Sequence, residues 1–266
     1  MGKKKDVIVF VIILAALFVS VSFGETKKPL KEEVLYDYLP SINELHNQAI
    51  FYRVTSDWKD KIKIKSQDYN SLGPAKRALA VGKTIADIGF LVLIEGEDKK
   101  VPKNILDEAM KAIKSLEPPE EVNKEIKKFQ SGVRTGALKG KKLRDSLEEL
   151  IRDSMKMLEK EQKNRDIASL AFLSSFCRLM YMSSSTIAQK ENPPRQQLDM
   201  FRYSGVIDYF VDYFTHKAED SFKKDIIVEK LISALKKIKP ILQKAPGKFV
   251  KNDISTIEKV LEPLFK

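Results

Sequence analysis

The chain has 266 residues, 48 Lys+Arg against 37 Asp+Glu, and a formal net charge of +11. A single Cys excludes an internal disulfide, and one Cys with two His falls short of the four ligands of a structural zinc site. Hydrophobic residues at 43% exclude wholesale disorder, and charged residues at 32% exclude a polytopic membrane protein.

Lys3, Lys4 and Lys5 open a basic start, and an apolar run follows from Val7 to Val21, broken only by Ser20. Ser22, Phe23 and Gly24 then lead into polar sequence from Glu25. This is the three-part pattern of a secretory signal peptide, with small residues at −3 and −1 of a cut after Gly24. The apolar core is shorter than the roughly 20 residues a spanning helix needs. The bulky Phe23 keeps an uncleaved N-terminal anchor as the alternative. Residues 1–24 are therefore read as a signal peptide and residues 25–266 as one domain. Removing three Lys and one Asp with the leader leaves a charge of +9. An exported chain rarely meets nucleic acid, so the basic balance does not point to that partner.

The period beyond the leader is helical. Leu35, Tyr38, Ile42, Leu45, Ala49 and Tyr52 form one stripe, with Pro40 expected to kink it or delay its start. Residues 55–72 are polar, hold the only Trp, Trp58, and read as a loop. Pro74 opens a helix over 74–95 that is apolar on almost every side, the mark of a buried helix. A helix from about Lys103 to Leu116 follows. Pro118-Pro119-Glu120-Glu121 starts the next, with carboxylates in its first turn. Leu143, Leu147, Leu150, Ile151, Met157 and Leu158 stripe residues 138–163. Residues 166–189 are the second mostly apolar segment, with Arg178 the only charge between Ile167 and Gln189. Helices are expected over 195–217, along Phe222 to Leu242, and along Val250 to Leu264. No strand is expected. The fold class is all-α, an antiparallel multi-helix bundle of about eight helices with 74–95 and 166–189 as its two buried central helices.

Charges inside the apolar helices are the informative residues. Lys83 and Asp87 are spaced i, i+4, and Arg178 stands beside Phe176, Cys177 and Tyr181. A buried guanidinium needs a carboxylate, and Asp87 and Asp208 are the candidates. The arrangement reads either as an internal salt bridge or as the polar floor of a ligand pocket between the inner helices, with Lys83, Asp87, Arg178, Tyr181 and Asp208 as its candidate residues. Lys83 and Asp87 at mid-helix argue against a membrane span there. Gly82, Ala86 and Gly89, with the serines of the second segment, let helix backbones approach closely.

The pattern Ala78-Leu79-x-x-Gly82-x-x-x-Ala86-Asp87-Ile88-Gly89, with the Ser/apolar helix around Ala171–Ser185, resembles a group of exported, all-helical proteins of Gram-negative bacteria with no known activity. The resemblance covers about 40 residues. It implies an all-α fold and a periplasmic or envelope address. Those proteins place an aromatic and an acid in the later helix, where this chain has Phe176 and Arg178.

Asp208, Asp212, His216 and Asp220 recur every four residues, and the first three would share a helix face. Without a Glu-x-x-His or His-Glu-x-x-His pair, the row reads as an ion-paired face rather than a metal site. Gly132, Gly136 and Gly140 among basic residues do not match a phosphate loop. Cys177 has apolar neighbours and reads as buried. No catalytic constellation emerges and no cofactor is implied. The expected function is a non-enzymatic envelope module that binds a protein or a small amphiphilic ligand. The alternative is a peripheral binder of an anionic membrane or polyanion through Lys236-Lys237-Lys239, Lys223-Lys224 and Lys124-Lys127-Lys128.

Overall fold

Helical periodicity and the breaks set by Pro, Gly and Asn account for most of the architecture in the computed structural model. The structure describes residues 42–62, 64–95, 103–118, 120–138, 162–201, 203–245 and 247–265, and parts of 142–153. The leader 1–24, Leu35, Tyr38, Pro40, Gly140, Ile151, Met157 and Leu158 lie outside the described residues.

In chain order the helices are α1 (Ile42–Phe51), α2 (Trp58–Lys61), α3 (Pro74–Glu95), α4 (Lys103–Lys114), α5 (Glu120–Arg134), α6 (Gln162–Ala188), α7 (Arg195–Leu198) and α8 (Ser204–Asp212). A π-turn over Tyr213–Lys217 leads to α9 (Asp220–Lys223), α10 (Ile226–Leu242), α11 (Lys251–Leu261) and a short 3₁₀ turn (Glu262–Leu264). The fold is all-α, with no strand among the described residues.

α6 is the axis. From Asp166 to Ile187 every residue except Tyr181 is buried. α3 packs along it most extensively, and α11 and α1 also pack against it. α4 covers α3, and α8 lies against α10. The striped helices bury the positions their spacing marks: Leu106, Ala109 and Ile113 of α4, Val122, Ile126 and Phe129 of α5, and Leu231, Leu235 and Ile238 of α10. Leu143, Leu147 and Leu150 are buried too. Asn164–Ala188 is long and apolar enough to cross a membrane, but it is almost wholly buried among the other helices.

Two elements differ from the sequence expectation. The segment expected as one helix over 195–217 is three pieces. α7 ends at Leu198, α8 begins at Ser204, and the last turn widens so that the Ala218 N–H bonds the Tyr213 carbonyl at 3.0 Å. The polar segment 55–72 is mostly loop, as expected, but it contains α2 and is pinned from inside. Trp58 is fully buried with its ring 4.5 Å from that of Phe90, and Tyr69 is buried as well. These aromatics recover burial energy that a solvated loop would forgo.

The α3–α6 contact depends on Gly82. A Cβ there would fall on the Ala171 carbonyl oxygen and lie 2.7 Å from the Ser174 Cβ. Both obstacles are close to helical backbone, so neither can swing away. Gly82→Ala is expected to destabilise the protein by about 2 kcal/mol or more in urea unfolding, although Ala is the better helix former by about 1 kcal/mol. Gly205 in α8 faces open space, and Gly205→Ala is the control, expected to be neutral or stabilising.

Candidate functional site

One turn past Gly82 on α3, Asp87 faces Arg178 of α6. The guanidinium holds the carboxylate from its side: Nε donates to Oδ1 at 2.8 Å and Nη2 to Oδ2 at 3.2 Å. Both side chains are only 6% exposed, so this is a two-pronged ion pair removed from water. Burial pushes the Asp87 carboxyl above the usual carboxylate range, and the Arg178 charge and hydrogen bonds, with the Lys83 charge, pull against that shift. The Arg178 guanidinium also lies 5.7 Å from the ring centroids of both Tyr181 and Phe265, and those two rings stack on each other 5.8 Å apart. Aromatic faces shield the cation where protein oxygen does not reach it.

Lys83 sits half-buried near this pair and makes no ion pair among the described residues. Burial first, then the Arg178 charge, lower its pKa, and Asp87 raises it in part. Asp208 is elsewhere. It lies on α8 and takes Lys239 of α10 at 2.6 Å. Of the five residues the sequence nominates, Lys83, Asp87, Arg178 and Tyr181 come together and Asp208 does not. Asp87, not Asp208, is the partner of Arg178.

Several of the remaining polar groups of α6 are also engaged, while the buried Ser169 hydroxyl has no partner among the described residues. Ser174 donates to the Leu79 carbonyl and Ser175 to that of Gly82, both at 2.7 Å. Thr186 donates to Asp57, and Lys61 donates to Ser185 at 3.0 Å. At the other end, Asp166 accepts from the Tyr213 hydroxyl at 2.6 Å and from the Glu219 N–H at 2.9 Å. Cys177 is fully buried, and burial pushes its thiol well above the ordinary range, which removes it from nucleophilic use.

The acid row of the α8 region pairs off locally. Asp212 takes His216 at 3.0 Å, and Asp220 takes Lys223 at 2.9 Å. The nearby lysine side chain holds the Asp220 carboxyl below its usual range. Among the described residues, no three His, Cys, Asp or Glu converge as metal ligands. Gly136, at φ 74°, ends α5 in the left-handed cap that glycine favours, and the Leu138 N–H folds back onto the Gly132 carbonyl at 3.0 Å. A helix stop thus accounts for two of the three glycines.

Sequence reasoning did not single out His46, whose buried ring donates from Nε2 to the Ala86 carbonyl at 2.9 Å beside Gly89. Nor did it identify the surface around Tyr69. That phenol hydrogen-bonds Thr84 at 2.9 Å, and its pKa is pushed up to about 12, chiefly by burial, with the Thr84 bond opposing. Lys111 lies over the Tyr69 ring at 5.9 Å. An open cleft of about 360 Å³ runs beside them, lined among others by Met110, Lys114, Ser115 and Gln130. Trp58 and Tyr69 are the only large aromatics in a polar stretch, and that isolation was the available signal.

No protein family, no curated protein and no solved structure matches the chain in the three comparisons made.

The Asp87–Arg178 pair separates two costs. Arg178→Met leaves a buried carboxylate without its partner and is expected to cost about 3–5 kcal/mol in chemical denaturation. The double variant Asp87→Leu/Arg178→Met, which removes both charges, is expected to regain most of that loss. A double variant as unstable as the single one would show that the neighbouring polar groups, not the pair, carry the penalty.

Proposed function

We propose that residues 25–266 form an exported, non-catalytic helical module of the cell envelope that binds through its exterior. One observation carries this reading: the Asp87–Arg178 pair that interrupts the apolar helices, and most of the polar groups along α6, are consumed inside the fold. Asp87 holds Arg178, Asp166 holds Tyr213 and the Glu219 backbone, and Thr186 holds Asp57. Exposed lysines, among them Lys124, Lys127, Lys236 and Lys237, stand on the outer surface, interleaved with exposed acids such as Glu120, Glu121 and Glu229. In an envelope setting, an anionic surface is the complementary partner. The basic-apolar-small pattern of residues 1–24 supports export, as does the resemblance to exported helical proteins.

A second reading rests on Lys83. An ammonium that is half-buried beside a cation, with no ion pair of its own among the described residues, suits an anionic group on a small amphiphilic ligand at the α3–α6 seam. The backbone contact at Gly82 closes the seam on one side of that position.

The test is fractionation of cells expressing the full chain, followed by N-terminal sequencing and salt washing of the membranes. The expected outcome is a mature chain starting at Glu25 that sediments with the envelope and is released by high salt. A full-length chain retained in the cytoplasm would overturn the proposal.

A further inference from the structure

Side chains from three distant parts of the sequence meet at the C-terminal end of α6. Gln197 of α7 donates to the Tyr52 carbonyl just past α1. Lys190 reaches both Gln197, at 2.9 Å, and the Arg53 carbonyl, at 3.4 Å. Arg195 donates to the Phe249 carbonyl at 2.8 Å, and Asp199 accepts the Gly247 N–H at 3.1 Å. The C-terminus of α1, the α6–α7 turn and the approach to α11 are thereby tied into one end of the bundle.

That end carries three of the four large apolar residues that stand out in solvent among the described residues. Phe51 is 77% exposed, Val250 51% and Ile50 40%. Cations surround them. Arg53, Lys248 and Lys251 are exposed, and with Lys190 they make no ion pair among the described residues. Arg195, Lys244 and Lys61 are tied to Asp199, Asp253 and Asp57, and Glu191 and Asp60 are further acids nearby. Arg53, Lys190, Lys248 and Lys251 thus stand at this end without an ion-pair partner among the described residues. Isolated apolar side chains on a surface are ordinary. An exposed Phe, Ile and Val at the same end as four unpaired cations is the composition of an interfacial membrane contact: rings enter the headgroup boundary while ammonium and guanidinium groups meet lipid phosphates.

We propose that this end, centred on Phe51 and Val250, is the face by which the protein docks on an anionic bilayer. The inference rests on the envelope-binding reading above and selects one surface from it. The Lys-rich outer sides of α5 and α10 lack that combination of apolar and unpaired basic groups. Ile226, the fourth exposed apolar residue, follows α9 and Glu219, which contacts Asp166. It therefore lies near the opposite end of α6, on the order of 30 Å away at 1.5 Å per residue.

The experiment uses the full chain with one cysteine introduced at a time, Phe51→Cys, Val250→Cys or Ile226→Cys, labelled with an environment-sensitive fluorophore. Buried Cys177 does not compete for label in the native fold. Each protein is titrated with vesicles of phosphatidylglycerol and phosphatidylcholine, and with phosphatidylcholine alone. The probes at 51 and 250 are expected to shift to the blue with anionic vesicles only, and the probe at 226 is expected to stay in water. Charge reversal by Arg53→Glu, Lys248→Glu and Lys251→Glu, with an unchanged thermal melt, is expected to weaken vesicle affinity by about tenfold or more. Because each probe reports its own position, insertion of the apolar segment 7–21 does not mimic the result. Wet probes at 51 and 250 on a vesicle-bound chain would overturn this face while leaving envelope binding intact. An equal shift at 226 would overturn it as well. Failure of the chain to bind anionic vesicles at all would overturn both readings.

Discussion

At Gly82 the backbone of α3 lies against the Ala171 carbonyl and the Ser174 side chain of α6. The two longest described helices approach so closely there that serine hydroxyls of one reach main-chain carbonyls of the other. A helix carbonyl already accepts one bond from its own ladder, and the serine uses its second lone pair. The seam therefore gains specificity as well as area. A sliding or rotated α6 would leave Ser174 and Ser175 without those acceptors. It would also carry Arg178 away from Asp87, which costs far more. Register along the axis of the fold is set by these few contacts, and the outer helices are laid over a pair whose geometry is already decided.

α6 is an unusual core helix because its burial is nearly complete while its composition is only moderately apolar. Asp166, Arg178, Thr186 and six serines are all among its buried residues. Short hydroxyl side chains are compatible with such burial because they bond carbonyls within reach, as Ser184 does with Tyr181 and Thr186 with Met182. Other polar groups of α6 draw partners from outside the helix. α3 supplies them at Asp87, the 55–72 loop at Asp57 and Lys61, and the region after α8 at Tyr213 and Glu219. Three of the elements around α6 thus carry a polar partner for it, beyond their apolar residues.

Much of this was legible in sequence because apolar spacing and helix stops are local signals. The all-α class, the inner position of 74–95 and 166–189, and the small-residue role of Gly82 follow from periods and residue sizes. So does the need of Arg178 for a carboxylate. The choice between Asp87 and Asp208 did not follow, because it depends on which helix faces α6, a long-range fact with no periodic trace. The interruption of 195–217 was hidden for a related reason. Its aromatics at Tyr209, Phe210, Tyr213 and Phe214 satisfy a helical pattern and a π-turn alike, and the wide turn is settled by the pull of Asp166 on Tyr213 and Glu219. The cluster of Phe51, Arg53, Lys190 and Val250 joins parts of the chain up to 199 residues apart, and nothing in the spacing of any one segment announces it.

Phe265, beyond α11, completes the aromatic cover over Arg178, whose carboxylate partner lies 91 residues earlier in the chain than Arg178 itself. A ribosome delivers these groups in order: Asp87 first, Arg178 much later, Phe265 later still. Until the last of them emerges, α6 has neither its full apolar enclosure nor the lid over its cation. The pair and its aromatic cover close between parts distant in sequence, and non-local closure is slow. A chain built this way stays open along α6 until α11 and Phe265 have emerged. Its core is sealed only when the closing helix arrives.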